Sequence, residues 1–223
     1  TGNGQVGIVA GAIDSGSAIN NVRTTGNVEA NHYPSGGIVG QQDDGEVSNS
    51  SSSAILNSYS IAGGAVGRLY GGSVTNTYAT GDVTTSVDQA GGLVGRGESG
   101  TISNSYATGD VDTDGQIIGG LLANNEGTHV ERSYATGNVS GSTKVGGLVG
   151  EDTGGLTESY ATGNISGENN IGGIVGNKDF VTVTDSYWDL NTTGQSTSDG
   201  GTGLTTEEMT GSAATSNMSG FDF

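Results

Sequence analysis

A glycine-rich word, written GGLVG at residues 91–95, returns along this chain at a nearly constant interval. Its second glycine recurs every 26 to 30 residues, at Gly7, Gly37, Gly64, Gly92, Gly120, Gly147 and Gly173. A second word, typified by SYATG, keeps the same phase and has its tyrosine at Tyr78, Tyr106, Tyr134, Tyr160 and Tyr187. In the first two repeats Arg23 and Ser51 stand where the tyrosine is expected. Two markers in one phase predict a repeat architecture.

The local pattern within each repeat favours strands. The apolar runs are short and rich in β-branched residues, and glycines interrupt them, whereas a helical repeat needs apolar residues at helical spacing. A period near 27 residues is also short for a propeller blade. The sequence therefore predicts an all-β, single-stranded β-solenoid (β-helix) of about seven coils of 26–30 residues with a C-terminal cap. Coils stacked about 4.8 Å apart would form a rod about 34 Å long.

Strand alternation predicts which side chains face inward. In TISNSYATGDV, residues 101–111, Ile102, Asn104 and Tyr106 share one face, which we expect to face the interior. The aliphatic ladder of this face is Val74, Ile102, Val130, Leu156 and Val183. A second inward ladder is Val83, Val111, Val139 and Ile165. The glycine of ATG is expected to mark a corner with positive φ.

The GGLVG word poses a problem, because Leu93 and Val94 are adjacent and a regular strand points them to opposite faces. Either corner geometry turns both inward, or an outer apolar column is covered by the terminal tail or by another copy of the chain. In the second case this column is the candidate surface for self-association. Its residues are Val39, Val66, Val94, Leu122, Val149 and Val175, with Val9 at the N-terminal end.

The C-terminal segment concentrates bulky apolar residues. An open solenoid end exposes strand edges and core and therefore needs a cap. The candidate capping residues are Trp188, Leu204, Met209, Phe221 and Phe223. We therefore divide the chain into solenoid repeats at 1–186 and a capping segment at 187–223. Because the chain starts inside a repeat, we interpret it as part of a longer protein.

The two repeated words resemble the GLUG motif, named for its Gly-Leu-apolar-Gly core. The segment DSYWDLNTTGQSTSDGGTGLTTEEMTG is similar to the tail that often closes such arrays. The motif recurs in bacterial and archaeal surface proteins, including haemagglutinin-like adhesins and the stalks of immunoglobulin A peptidases. The resemblance implies a secreted or cell-surface β-solenoid module and implies no active site.

Charge excludes some partners. The chain has 24 acidic and 6 basic residues and a net charge of -18, so its surface would repel nucleic acid. No apolar run approaches the roughly 18 residues that a membrane span needs, so we expect no membrane insertion. The acidic residues are spread over all coils, as in a solvating surface. Two explanations are a halophilic protein, which the scarcity of lysine favours, and a surface-layer component that binds divalent cations.

One acidic stretch has the character of a metal site. DVDTDG contains Asp110, Asp112 and Asp114, which match the core of a calcium loop, although Leu121 replaces the glutamate that usually completes it. On an extended strand these carboxylates would be too far apart for one ion, so a calcium site requires a local loop. The alternative is a solvated acidic face. We expect no other cofactor.

Asparagine sequons are further candidate sites. The candidate glycosylation sites are Asn49, Asn138, Asn164, Asn191 and Asn217. In a chain this rich in serine, threonine and asparagine, sequons also arise by chance.

The sequence contains no convergent set of catalytic residues, so we expect no enzyme. It favours an extracellular structural or adhesive module of a surface or filament-forming protein, whose partners are copies of itself or another surface protein. The alternative is a glycan- or receptor-binding module of an adhesin or viral fibre.

Overall fold

The protein is described over residues 4–221 by a computed structural model. In this range the chain winds as a β-solenoid of about seven coils, which confirms the predicted fold class. Each coil contributes short strands to five parallel sheets, here numbered 1 to 5 in the order in which the chain passes through them. Every strand pairs with its counterparts in the neighbouring coils.

The bounds of the strands follow the repeat. Sheet 1 contains Val6–Gly7, Ser35–Gly36, Ala62–Gly63, Gln89–Gly91, Ile117–Gly119, Thr143–Gly146 and Asn169–Gly172. Sheet 2 contains Ala10–Ile13, Val39–Asp43, Val66–Tyr70, Val94–Glu98, Leu122–Glu126, Val149–Asp152 and Val175–Lys178. Sheet 3 contains Ala18–Asn20, Glu46–Ser48, Ser73–Thr75, Thr101–Ser103, His129–Glu131, Leu156–Thr157 and Val183–Thr184.

Sheets 4 and 5 complete each coil. Sheet 4 contains Arg23–Thr24, Ser51–Ser52, Tyr78–Ala79, Tyr106–Ala107, Tyr134–Ala135, Tyr160–Ala161, Tyr187–Asp189 and Thr202–Leu204. Sheet 5 contains Asn27–Ala30, Ile55–Ser58, Val83–Thr85, Val111–Thr113, Val139–Ser140 and Ile165–Ser166. Two short helices, Leu190–Thr193 and Gly211–Asn217, follow the last coil.

The register places equivalent residues in single file, as the repeat predicts. Ile102 pairs with Val74 and Val130, and Tyr106 pairs with Tyr78 and Tyr134. The first coil requires a correction. Gly7 pairs with Gly36 rather than aligning with Gly37, because the first coil keeps a single glycine of the pair.

The adjacent apolar residues of GGLVG both point inward. The backbone N–H groups of Leu93 and Val94 both donate to the carbonyl oxygen of Leu121, at 2.9 Å each. Two consecutive donors on one acceptor break the ladder and bend the chain, as in a β-bulge, so that strand alternation stops here. Leu93 and Val94 are consequently both 0% exposed and belong to one core cluster. Of the two alternatives for this word, the one in which corner geometry turns both side chains inward is therefore correct.

The covered outer column is wrong for the same reason. All six of its residues that were candidates for self-association are 0% exposed within the chain itself: Val39, Val66, Val94, Leu122, Val149 and Val175. Val9 is exposed, but it lies in register with Ile38, since Ala10 pairs with Val39. These valines and leucine hold the solenoid together and form no outer surface.

The predicted inward face is right for Ile102 and wrong for Asn104 and Tyr106. Asn104 has a φ of 50° and lies at a corner between sheets 3 and 4, so alternation restarts after it. Ser105 and Ala107 are buried instead, while Asn104 is exposed and Tyr106 is half-buried on the outside. The valine ladder of sheet 5 is confirmed as core, with Val83, Val111, Val139 and Ile165 at most 3% exposed.

The glycine of ATG has a different role from the predicted one. Gly109 is absent from the residues with positive φ, so it marks no left-handed corner. A Cβ atom at Gly109 would lie 2.2 Å from the carbonyl oxygen of Gly81 in the coil before it. Real Cβ atoms do not approach an oxygen so closely. Glycine is needed here because the backbones of successive coils pass too close for a side chain.

The C-terminal segment covers the last coil. Trp188 takes the register position of Ala161 and is 6% exposed, and its indole N–H donates to the Gln195 carbonyl oxygen at 3.0 Å. Residues Thr202–Leu204 pair with Tyr187–Asp189 and extend sheet 4 by one strand. Leu204, Met209 and Phe221 pack around a small cluster of Tyr187, Ala214 and Met218. Phe223 lies outside the described residues.

Candidate functional site

The outer face of sheet 4 carries a column of stacked tyrosines. The ring centroids of Tyr78 and Tyr106 are 4.8 Å apart, those of Tyr106 and Tyr134 are 4.7 Å apart, and those of Tyr134 and Tyr160 are 4.9 Å apart. The rings are parallel to within 6°. This spacing is that of neighbouring strands, so the register of the coils fixes the stack. Ring faces inside the stack are covered, and only ring edges and hydroxyls face outward.

Behind the tyrosines, a ladder of buried hydroxyls supports the corner. Ser133 Oγ donates to the carbonyl oxygen of Glu131 at 2.8 Å and accepts from the backbone N–H of Ser105 at 3.3 Å. The same donation, to the carbonyl two residues earlier, recurs at Ser50, Thr77, Ser105, Ser133, Ser159 and Ser186. Sequence analysis missed this ladder, although a serine or threonine stands directly before each tyrosine.

The corner itself uses a left-handed backbone. The residue before each hydroxyl has positive φ, and these residues are Asn49, Asn76, Asn104, Arg132, Glu158 and Asp185. Asn21, before Val22 in the first coil, also has positive φ. Positive φ is uncommon outside glycine, and asparagine and aspartate tolerate it best. The recurring asparagine was the sequence signal for this corner. The corner aims each tyrosine outward and thereby builds the stacked column.

Burial changes the acidity of the tyrosines. Desolvation by burial, with a smaller contribution from the neighbouring Tyr134, raises the pKa of Tyr160 to about 12. Desolvation also raises the pKa of Tyr106 and Tyr134 above the ordinary value of 10.0, and in each the preceding ring of the stack adds to the effect. The phenols of Tyr106, Tyr134 and Tyr160 are therefore neutral hydrogen-bonding groups at neutral pH.

A threonine column runs beside the tyrosines. Thr80, Thr108 and Thr136 each follow a tyrosine by two residues and are exposed. Their hydroxyls have no hydrogen-bond partner within residues 4–221. Over residues 4–221 the outer face of sheet 4 is thus a strip of aromatic edges and of threonine hydroxyls without a protein partner.

This strip changes character where the tyrosines stop. In the two preceding coils Ser51 and Arg23 occupy the tyrosine position, in register with Tyr78. The smaller side chain of Ser51 leaves a groove of about 290 Å³ below the Tyr78 ring. The groove is lined by Arg23, Thr24, Thr25, Ser51, Ser52, Ser53, Tyr78 and Thr80. It is a break in an otherwise regular face.

The aspartates of DVDTDG do not form a loop around one point. Residues Val111–Thr113 are a strand of sheet 5, and Asp110, Asp112 and Asp114 are exposed on its outside. Asp110 Oδ1 accepts from the Asn138 backbone N–H at 2.8 Å, and Asp112 Oδ1 accepts from the Ser140 hydroxyl. Within residues 4–221 no group of three or more His, Cys, Asp or Glu side chains is arranged to hold a metal ion. Calcium binding there stays a prediction that this geometry does not favour.

The five sequon asparagines all lie on the surface. Asn49, Asn138, Asn164, Asn191 and Asn217 are each exposed. Asn138 Oδ1 accepts from the backbone N–H of Asn164, so its side-chain oxygen is engaged while the residue remains accessible. Asn217 differs, because its side-chain nitrogen donates to the Glu208 carbonyl oxygen at 3.3 Å. Glycosylation stays a prediction at all five positions.

Charged side chains on the outside of sheet 2 pair with one another across the coils. Glu98 contacts Arg68 and Arg96 at 2.8 Å each, and Arg96 contacts Glu126 at 2.8 Å. Inside the same sheet Asp152 is 0% exposed, and its Oδ1 accepts from the side chain of Asn125 at 2.7 Å. Desolvation raises the pKa of Asp152 above its ordinary value of 3.8. The ion pairs and the Asn125–Asp152 hydrogen bond link side chains of neighbouring coils.

Comparison with protein families identifies the repeat. The family model described as the GLUG motif matches residues 58–84 and 88–112. Comparisons with curated proteins and with solved structures find no significant match. Among residues 4–221 no helix is both long enough and apolar enough to cross a membrane. The matched segments are successive coils, and the in-register pairing extends the same unit to the other coils. The chain therefore carries GLUG repeats, matched at residues 58–84 and 88–112, within a β-solenoid.

Proposed function

We propose that this chain is an extracellular structural module that extends and presents the adhesive parts of a surface or filament-forming protein. The observation that carries the proposal is the unbroken register of the coils: each sheet continues from coil to coil with identical pairing. Stacked repeats of this kind contact only their neighbours, so length is set by repeat number.

The surface of the rod supports an extracellular role. A net charge of -18 spread over the coils keeps such a rod soluble, because it repels other acidic surfaces. The exposed sequons and the surface proteins known to carry the GLUG motif agree with secretion. The proposal assigns no reaction to the chain. Lateral self-association is no part of it, because the apolar column on which it depended is buried.

A second candidate function is recognition of a glycan or receptor. The outer strip of sheet 4 favours it, because the stacked tyrosine rings repeat at 4.7 to 4.9 Å. Exposed threonine hydroxyls that have no partner among residues 4–221 lie beside them. Binding surfaces use tyrosine in this way, since it offers an apolar body and a polar tip. This function would be carried by the same rod and does not compete with its structural role.

Removal of one coil tests the structural proposal. Deletion of residues 92–119 joins Gly91 to Gly120 and removes one whole repeat. We expect a folded protein whose long axis, measured by small-angle X-ray scattering, is shorter by about 4.8 Å. Deletion of residues 92–105 is the matched control, because half a coil breaks the register and should unfold the array. If both deletions behave alike, the modular rod is refuted.

Protease shaving of intact source cells tests the location. Peptides of this chain should be released from intact cells before any intracellular marker protein. If they are released only after lysis, the extracellular proposal is wrong, whatever the outcome of the deletion experiment.

A further inference from the structure

We propose that the groove below Tyr78 binds a pyranose sugar that carries a carboxylate group. The proposal deepens the second candidate function, glycan recognition, and rests on it. It is independent of the structural role. Three features of the groove carry it: an open aromatic face, and hydroxyl groups and an arginine that have no protein or acidic partner among residues 4–221.

The open aromatic face comes from the break in the tyrosine column. One face of the Tyr78 ring is covered by Tyr106, with centroids 4.8 Å apart. Its other face points to the preceding coil, where Ser51 replaces the next ring and leaves the groove of about 290 Å³. Pockets for small molecules begin at about 300 Å³, so this groove suits a single ring. The aliphatic face of a pyranose can stack on the open tyrosine as a further ring of the column would.

Hydroxyl groups line the groove on both sides. Thr25 and Thr80 are exposed, and Ser51 forms its floor. Within residues 4–221 the hydroxyls of these three residues make no hydrogen bond to the protein. Neutral hydroxyls both donate and accept, which matches the hydroxyl groups around a sugar ring.

Arg23 supplies the charge selectivity. Arg68, Arg96, Arg132 and Lys144 all form ion pairs with glutamates. Arg23 lines the groove and is exposed, and it has no acidic partner in the described part of the chain. An unpaired guanidinium is unusual in a protein with 24 acidic and 6 basic residues. Arginine binds carboxylates through two parallel hydrogen bonds, so it favours an acidic sugar over a neutral one.

The test measures binding of methyl glucuronide, methyl glucoside and acetate to the whole chain by ligand-observed NMR and calorimetry. We expect the glucuronide to bind, the glucoside to bind about tenfold more weakly, and acetate to show no binding at the same concentration. No binding of the glucuronide, or equal binding of the glucuronide and the glucoside, would overturn the proposal.

Three variants locate the site. Ser51→Tyr extends the tyrosine column by one ring, fills the groove and should abolish binding. Arg23→Gln should weaken glucuronide binding about tenfold and leave glucoside binding within about twofold. Tyr134→Phe, in the middle of the stack, is the matched control and should bind as the wild type does. Circular dichroism checks that each variant is folded, and Arg23→Gln alone decides the question if Ser51→Tyr does not fold.

The outcomes separate this proposal from the broader one. If a glycan array shows specific binding that Ser51→Tyr leaves intact, the chain recognises glycans elsewhere and the groove is not the site. If the array and the glucuronide both show no binding, glycan recognition and the groove proposal fail together. Neither result bears on the coil deletion, which tests the structural role.

Discussion

The buried hydroxyl ladder predicts a large effect from the removal of one oxygen atom. Ser133 is 1% exposed, and its hydroxyl makes two hydrogen bonds that Ser133→Ala removes. One bond goes to the Glu131 carbonyl oxygen in the same coil, and the other comes from the Ser105 N–H in the preceding coil. Ser105 is itself 1% exposed, so its N–H has no access to water after the change.

The two bonds set the magnitude. Loss of an ordinary hydrogen bond costs about 1 kcal/mol net, and a buried donor left without a partner costs about 1–3 kcal/mol. We therefore expect Ser133→Ala to lower the free energy of unfolding by about 2–4 kcal/mol. Alanine leaves only a small void, because the change removes a single oxygen atom, so packing adds little.

Chemical denaturation followed by far-ultraviolet circular dichroism measures the change. Because coils interact mainly with their neighbours, a shift of the transition midpoint at constant slope indicates a loss of stability without a change in cooperativity. Ser133→Thr is the matched control, since Thr77 occupies the same position two coils earlier and keeps the hydroxyl donation. A cost below about 0.5 kcal/mol for Ser133→Ala, or an equal cost for Ser133→Thr, would refute the reasoning.

Three further predictions follow from buried groups. Burial raises the pKa of Tyr160 to about 12, so the neutral phenol stabilises the fold fully below pH 10.0, and this stabilisation is lost as the pH rises towards 12. Tyr160→Phe should remove this part of the alkaline loss of stability. Phenolate absorbance and circular dichroism, measured as the pH is raised, check the prediction. Burial raises the pKa of Asp152 and so favours its neutral form in the fold, and the free energy of unfolding therefore falls as the pH rises above 3.8. Asp152→Asn should lose less stability than the wild type between pH 3.8 and neutrality, which denaturation at both pH values measures. Val94→Asp places an unpaired charge in the core and should cost about 3–5 kcal/mol, with loss of the β-sheet dichroism. A folded Val94→Asp protein would contradict the inward corner.

The regular spacing of glycines and tyrosines was sufficient to predict the solenoid, its coil number and its two aliphatic ladders. This is because a repeat that stacks on itself must place equivalent residues in register, and Val74, Ile102 and Val130 do pair in single file. The position of the cap followed from the concentration of bulky residues, of which Trp188 is buried at the end of the stack.

The orientation of side chains near corners could not be predicted from the sequence. Alternation holds only while the backbone stays extended, and the chain leaves that state at Asn104 and between Leu93 and Val94. After each corner the inward and outward positions exchange, which moved Tyr106 to the surface and Val94 into the core.

The sequence by itself thus determined the unit, its period and its stacking, because these depend on repetition alone. Only the tertiary structure decided which face of each short strand meets water. That choice depends on local φ angles and on shared hydrogen bonds between coils, such as the two N–H groups on the Leu121 carbonyl oxygen. The groove below Tyr78 belongs to the second category, since a missing tyrosine becomes a cavity only where its neighbours point outward.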